Sequence, residues 1–306
     1  MIRYAISKTE LVNRVDALAP GWRTRAAALQ GTVNTRGRYD LDANLWSDIK
    51  PVFMAIQANK CIYCERALGG RQFGKGEHDV EHFRPKSAVR AWPPVRKKTA
   101  RAAAGPAPGY DFDTGAASDI GYYWLAYELD NYATACKSCN SGLKAAYFPI
   151  LGKRQTALAP VAKLNAREHP LLLFPLGKSA PDPRRLIEFD GIVAKPKSLA
   201  ASTTAYRRAK VTIDFFDLNG REELLQARFQ VVREMYAQYR NLKTGATAQD
   251  RKDARTAIAE LTSAASPHSA CAQDYLRLLG TDPVRAHTIM ELARKSVRGA
   301  GQAVGG

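Results

Sequence analysis

Four of the five cysteines in this sequence fall in two close pairs, Cys61-Ile-Tyr-Cys64 and Cys136-Lys-Ser-Cys139. A two-residue gap lets both thiolates of a tight turn reach one ion, and two such turns complete a tetrahedral zinc site. The 71 residues between the pairs are no obstacle, since closing a longer loop adds little entropy. Thiol–disulfide redox chemistry would need one such pair at a strand-to-helix junction, not two. A zinc ion with all four positions filled by cysteine is structural, fixing the second element against the first. Cys271 stands alone in a helical stretch and reads as a small buried residue.

A second constellation lies around these pairs. His78-Asp79-Val80-Glu81-His82-Phe83-Arg84-Pro85 sits between them, Asn131 comes five residues before Cys136, and Asn140 follows the last cysteine directly. Lys144 is one helical turn beyond Asn140, on the same face. These residue types suit metal-assisted phosphodiester hydrolysis. That reaction needs a hard cation, Mg²⁺ or Mn²⁺, held by oxygens while keeping several waters, and the Glu81 carboxylate and Asn140 amide supply such oxygens. It needs a base near neutral pH, which a histidine provides. It also needs positive charge on the developing phosphorane, from the ion and Lys144.

Several elements must position these groups. Ser7 and Glu10 form a capping-box pattern ahead of Leu11, Val15 and Leu18, and Pro20-Gly21 ends that helix. A second helix is expected from Asp48, with Pro51 in its first turn and Ile49, Val52, Phe53 and Ile56 inward. Tyr122 to Glu128 reads as a short aromatic helix, whose Tyr122, Tyr123 and Trp124 pack rather than stack on bases. The proline-rich stretch 151–200 reads as extended chain with one clear apolar run, Leu171 to Phe174. Beyond residue 201 the pattern turns helical: Asn219 and Glu222 give an N-cap signature, then Leu225, Phe229, Val232, Tyr236 and Tyr239 recur at helical spacing. Further helices are expected over 249–264, 268–279 and 282–297. His169, His268 and His287 lack acidic or cysteine neighbours and read as surface or satisfied core residues.

Charge bears on partners. The chain has 306 residues and a net charge of +17, with 46 Lys and Arg against 29 Asp and Glu. Polyanions are the first candidates for such a surface. From His82 to Tyr110 no acidic residue occurs, while Arg84, Lys86, Arg90, Arg96, Lys97, Lys98 and Arg101 do. With its prolines this stretch reads as an exposed loop, and Arg84, Lys86, Arg96, Lys97, Lys98 and Arg101 are candidate phosphate contacts. Arg66 and Arg71 are weaker candidates on charge alone. No apolar run approaches the roughly 20 residues that span a bilayer, and the first residues lack the apolar core of a signal peptide. A cytoplasmic protein with no membrane role is expected.

The two constellations together resemble the HNH endonucleases of the ββα-metal class. The resemblance implies that His82 is the general base, Glu81 the acidic metal ligand and Asn131 the asparagine that positions the base and its loop. Asn140 stands where many members carry a histidine and is expected to hold the metal. Lys144 matches the trailing lysine of the helix, and the four cysteines match the zinc knuckles of many members. KCIYCE, DVEHFRPKS, YYWLAYELDN, the CNSGLK helix, HPLLLFP and DLNGREELLQAR are similar to one subgroup, the HNH nuclease subunits of Septu-type anti-phage systems, which also occur beside some retrons. In those systems the subunit works with an ABC-type ATPase, so such a partner is expected.

The fold class expected is therefore α+β, a zinc-stapled ββα-metal core with flanking helical regions. The expected segments are an N-terminal helical part at 1–57, the core at 58–150 with a basic insertion at 90–117, a wrapping segment at 151–200 and a helical region at 201–306. DNA is the expected substrate. An RNase on the same scaffold, or a zinc module that binds nucleic acid without catalysis, would share much of this sequence pattern.

Overall fold

The computed structural model describes residues 1–69, 76–94 and 109–302. Arg71, Arg96, Lys97, Lys98 and Arg101 lie outside the described residues. The chain forms two compact units from interleaved stretches. One comprises Tyr4–Ile56 and Gly69–Ala180; the other comprises Met1–Arg3, Gln57–Leu68 and Pro181–Gly306.

The first unit opens with helix α1 (Lys8–Leu18), which buries Leu11 and Val15. The Ser7 hydroxyl accepts a hydrogen bond from the Glu10 amide at 3.1 Å, satisfying one of the amides that a helix start leaves open. Gly21, in the left-handed region at φ 77°, separates it from α2 (Trp22–Arg36). The sequence pattern did not predict α2. Its buried residues, Trp22, Ala26 and Val33, make too sparse a stripe to read as amphipathic. Helix α3 (Lys50–Ile56) carries Val52 and Phe53 inward, as expected.

Strand β1 (His78–His82) then pairs antiparallel with β2 (Tyr132–Cys136), placing Glu81 opposite Ala133 and His82 opposite Tyr132. A seven-residue π-helix, Ser138–Lys144, follows β2. Val89 and Ser118, between the strands, exchange backbone hydrogen bonds of 2.6 and 2.9 Å. In place of the expected aromatic helix there are two 3-10 turns, Tyr123–Leu125 and Leu129–Asn131. Tyr122, Tyr123 and Trp124 are buried there, in the packing role expected. Their approach requires Gly121, at φ +57°, where a Cβ would lie 1.3 Å from the Ser87 carbonyl oxygen.

The segment expected to be extended contains helix α4 (Val161–Glu168), which buries Leu164 and Glu168. Leu171, Leu172 and Leu173 are fully buried beyond it. Phe83, the residue after β1, stacks on Phe174 at 4.5 Å between ring centroids and meets Phe148 edge-on at 5.0 Å. The end of β1 is thus packed into the core of this unit.

The second unit carries the hairpin β3 (Ile187–Asp190) and β4 (Val193–Pro196), then α5 (Thr204–Phe215) and α6 (Glu222–Thr244). Helices α7 (Ala248–Thr262), α8 (Ser269–Thr281) and α9 (Pro283–Gln302) complete it, and all three pack on α6. Phe229 and Val232 of α6 are buried, as their spacing requires. The helix starts after Arg221, however, and Asn219 is not its cap. The Asn219 amide instead holds the β4 backbone, accepting from the Ala194 amide and donating to its carbonyl, both at 2.8 Å. Asp274 of α8 anchors the hairpin by accepting from the Phe189 amide at 2.9 Å and from two Arg184 nitrogens at 2.6 and 2.7 Å.

Candidate active site and cysteine cluster

The first cysteine pair sits in a tight turn. Lys60 and Ala67 form an isolated bridge, and the Cys61 amide donates to the Arg66 carbonyl at 3.0 Å. Glu65 closes the turn in the left-handed region at φ 60°. Cys136 ends β2, and Cys139 lies in the π-helix. The four Sγ atoms are buried and all lie within 4.8 Å of one another. Thiolates on a tetrahedral zinc at about 2.3 Å sit roughly 3.8 Å apart. The cluster fits one zinc ion. Cys271 takes no part: its thiol donates to the Gly191 carbonyl at 3.2 Å, and burial pushes its pKa up to about 12.

Glu81, His82, Lys86 and Asn140 line one cleft of about 400 Å³ in the first unit. Glu81 and His82 are the last two residues of β1 and both line the cleft, although a regular strand sends neighbouring side chains to opposite faces. Asn140 projects from the middle of the π-helix, is half-buried, and its side chain makes no hydrogen bond among the described residues. Two protein oxygens, from Glu81 and Asn140, with water completing the shell, are a donor set that suits Mg²⁺ or Mn²⁺.

The His82 ring is held on three sides. Trp46 and Tyr132 both meet it edge-on, at centroid distances of 4.7 and 4.9 Å. Nε2 lies 3.1 Å from the Ala126 carbonyl. A carbonyl only accepts, so Nε2 carries the proton and Nδ1 keeps the lone pair. Burial pushes the His82 pKa down to about 3, aided by the positive charges of Lys86 and Lys144 and opposed by the Ala126 hydrogen bond. The ring is neutral at physiological pH, although proton transfer is most efficient for a base whose pKa lies near the working pH, well above this value.

Asn131 is 1 % exposed and spends its amide on the chain just past His82. Its Oδ1 accepts from the Arg84 amide at 2.8 Å, and its Nδ2 donates to the carbonyls of Arg84 at 3.0 Å and Leu125 at 3.2 Å. The Phe83 amide donates to the Asn131 carbonyl at 2.9 Å as well. One buried asparagine therefore ties the end of β1 to the start of β2.

Two expected roles need correction. Arg84 is no phosphate contact, because it is fully buried and its guanidinium is held by Glu168 at 3.1 Å and Asn165 at 2.9 Å. Lys144 does not line the cleft with Asn140. In a π-helix the fourth residue along is less than a turn away, and Lys144 points inward to Glu81 at 3.1 Å and the His82 carbonyl at 3.3 Å. Burial lowers its pKa, and Glu81 works against that shift. His78 is buried too, with Nε2 on the Gly69 carbonyl at 3.1 Å, and Asp79 pairs with Lys137.

Sequence reasoning missed the opposite wall of the cleft, made by Asn44, Trp46, Ser47 and Lys50. The available signal was one tryptophan in the short stretch Asn44 to Asp48, with nothing to tie it to His82. Among the described residues no helix is long and apolar enough to cross a membrane.

Among known proteins, the chain is similar to the Septu protein PtuB of Bacillus mycoides (strain KBAB4), with 25% identity over 225 residues. The match covers 74% of this chain and 64% of that protein, so the chain spans about 64% of the length of this relative. The Septu-type relationship expected from the motifs is borne out. No family model matches the chain, and no solved structure matches it.

Proposed function

We propose that this chain is an HNH endonuclease that hydrolyses phosphodiester bonds of DNA with a divalent metal, acting as an effector of an anti-phage defence system. The observation that carries the reading is the meeting of Glu81, His82 and Asn140 on one cleft, with Asn131 fixing the loop that follows the base. In this reading β1, β2 and the π-helix are the ββα-metal core, and the cysteine cluster holds a structural zinc. The likeness to Septu protein PtuB supports the defence role, and an ABC-type ATPase is the partner that the motif resemblance implies. The net charge of +17 supports a polyanionic substrate.

Glu81 and Asn140 would hold Mg²⁺ or Mn²⁺, whose chemistry is to polarise the phosphate and offset the charge that builds on it. The chain's own residues do the rest. His82 Nδ1 takes a proton from the attacking water as the water oxygen bonds to phosphorus. The bond from phosphorus to the leaving sugar oxygen breaks, and solvent protonates that oxygen. Ala126 and Asn131 keep the imidazole in the tautomer and place this transfer needs.

The test is a cleavage assay on plasmid, single-stranded DNA and tRNA, with and without Mg²⁺ or Mn²⁺. Metal-dependent cutting of DNA is expected. His82→Ala should fold and keep its zinc yet lose about two to four orders of magnitude in rate. Asn140→Ala should lose rate with a shifted metal titration, a shift that His82→Ala should not show. Cleavage by His82→Ala at the wild-type rate would remove the nuclease reading, and cutting of tRNA alone would make the enzyme an RNase.

A further inference from the structure

The geometry points to Lys86 as the side chain that donates to a non-bridging oxygen of the scissile phosphate, a role that rests on the nuclease reading above. Hydrolysis of a phosphodiester adds negative charge at phosphorus, and a preorganised cation beside it is worth most where water is scarce. The sequence offers Arg84 and Lys144 for this, beside the base and on the metal-binding helix. Both are spent elsewhere: Arg84 on Glu168 and Asn165, Lys144 on Glu81 and the His82 carbonyl. Among the described residues, the cations that do line the cleft are Lys50 and Lys86. Lys50 donates to the His78 carbonyl at 3.2 Å, at the far end of β1 from the base.

Lys86 differs from all of these. Its Nζ sits 4.8 Å from the ring centroids of both Tyr39 and Trp46. Trp46 is the ring that meets His82 edge-on, so one indole positions the base and the ammonium together. Two aromatic faces hold a cation in place without consuming its N–H groups. Burial lowers the Lys86 pKa and the nearby Glu81 charge opposes that shift; the two rings leave its N–H donors for an incoming anion. The ammonium moves no proton in the step. It donates to the phosphoryl oxygen while water's proton goes to His82 Nδ1 and the phosphorus–sugar bond breaks. Tyr39 and Trp46 are then positioning residues for Lys86.

The test uses the full chain in single-turnover cleavage at saturating DNA with Mg²⁺ or Mn²⁺, beside DNA affinity in EDTA measured by fluorescence anisotropy. Lys86→Met keeps the length and packing of the side chain and removes the charge. It should slow cleavage by about 100-fold, the usual cost of one oxyanion donor, while affinity and thermal midpoint stay near wild type. Lys86→Arg, which keeps a charge that stacks on both rings, should regain much of the rate. If Lys86→Met does not fold, Lys86→Gln carries the same comparison. Cleavage by the uncharged variants at the wild-type rate, or a loss confined to affinity, would overturn the role of Lys86 while leaving an active nuclease. Absence of metal-dependent cleavage in wild type, by contrast, would remove the nuclease reading and this role with it.

Discussion

The Lys144 ammonium lies 3.1 Å from the Glu81 carboxylate, with the two side chains 0 % and 2 % exposed. The pair joins the π-helix to β1, so the acid proposed to hold the metal is oriented by a buried cation. Breaking such a pair leaves one charge buried alone. Lys144→Met should cost about 3–5 kcal/mol in urea unfolding. The double variant Glu81→Leu/Lys144→Met should recover most of that stability and remain inactive. Equal instability in the single and double variants would mean that Lys144 is held by something other than Glu81.

Asn131 should be a stability residue as much as an activity residue. Replacing it with Ala strands the Arg84 amide and two carbonyls, each costing about 1–3 kcal/mol when left unsatisfied in the interior. Asn131→Ala should unfold earlier in denaturant and cleave slowly, yet keep the wild-type midpoint in a Mg²⁺ titration. A shifted metal midpoint would place Asn131 among the metal ligands instead of behind the base.

The cysteine cluster predicts one zinc per chain in the purified protein, measured by elemental analysis. Ligand binding here contributes folding free energy, so Cys136→Ser should lose both the metal and much of the soluble yield. Cys271→Ser should keep full zinc, because Cys271 bonds the Gly191 carbonyl. Full zinc in Cys136→Ser would remove the four-cysteine assignment.

Acid should weaken the second unit through His268. Burial, with Arg228 next, pushes its pKa down from 6.5 to about 4. Between those values the unfolded chain binds a proton that the folded chain refuses, so stability is full above pH 6.5 and falls as pH drops towards 4. The loss is on the order of 3 kcal/mol for a shift of this size. His268→Gln should flatten the fall of unfolding free energy across this window. An unchanged slope would mean that other buried groups, His82 first among them, carry the acid sensitivity.

Local chemistry was legible in the sequence wherever spacing fixed geometry. The CxxC pairs and the Ser7 cap followed from short fixed spacings along the chain. What failed depended on contacts between residues far apart in sequence. Arg84 looks like part of a basic loop because its partners, Asn165 and Glu168, come more than 80 residues later. Lys144 was assigned to the face of Asn140 because an α-helix was assumed, and a π-helix turns the two apart. Helix α2 was missed since three buried residues in fifteen leave almost no periodic signal. Asn219 has the right type and spacing for a cap, yet the Ala194 backbone claims it.

The burial of Arg84 against Glu168 has a practical consequence for dissecting the protein. A recombinant fragment cut to residues 58–150 would contain the cysteines, both strands and the π-helix, and looks on paper like a minimal nuclease. It would lack Glu168 and Asn165, leaving the Arg84 guanidinium inside the core with no counter-charge two residues beyond His82. It would also lack Tyr39 and Trp46, and with them one wall of the cleft. Trimming for crystallisation should therefore keep residues 4–180 at least, and shorter pieces should be insoluble.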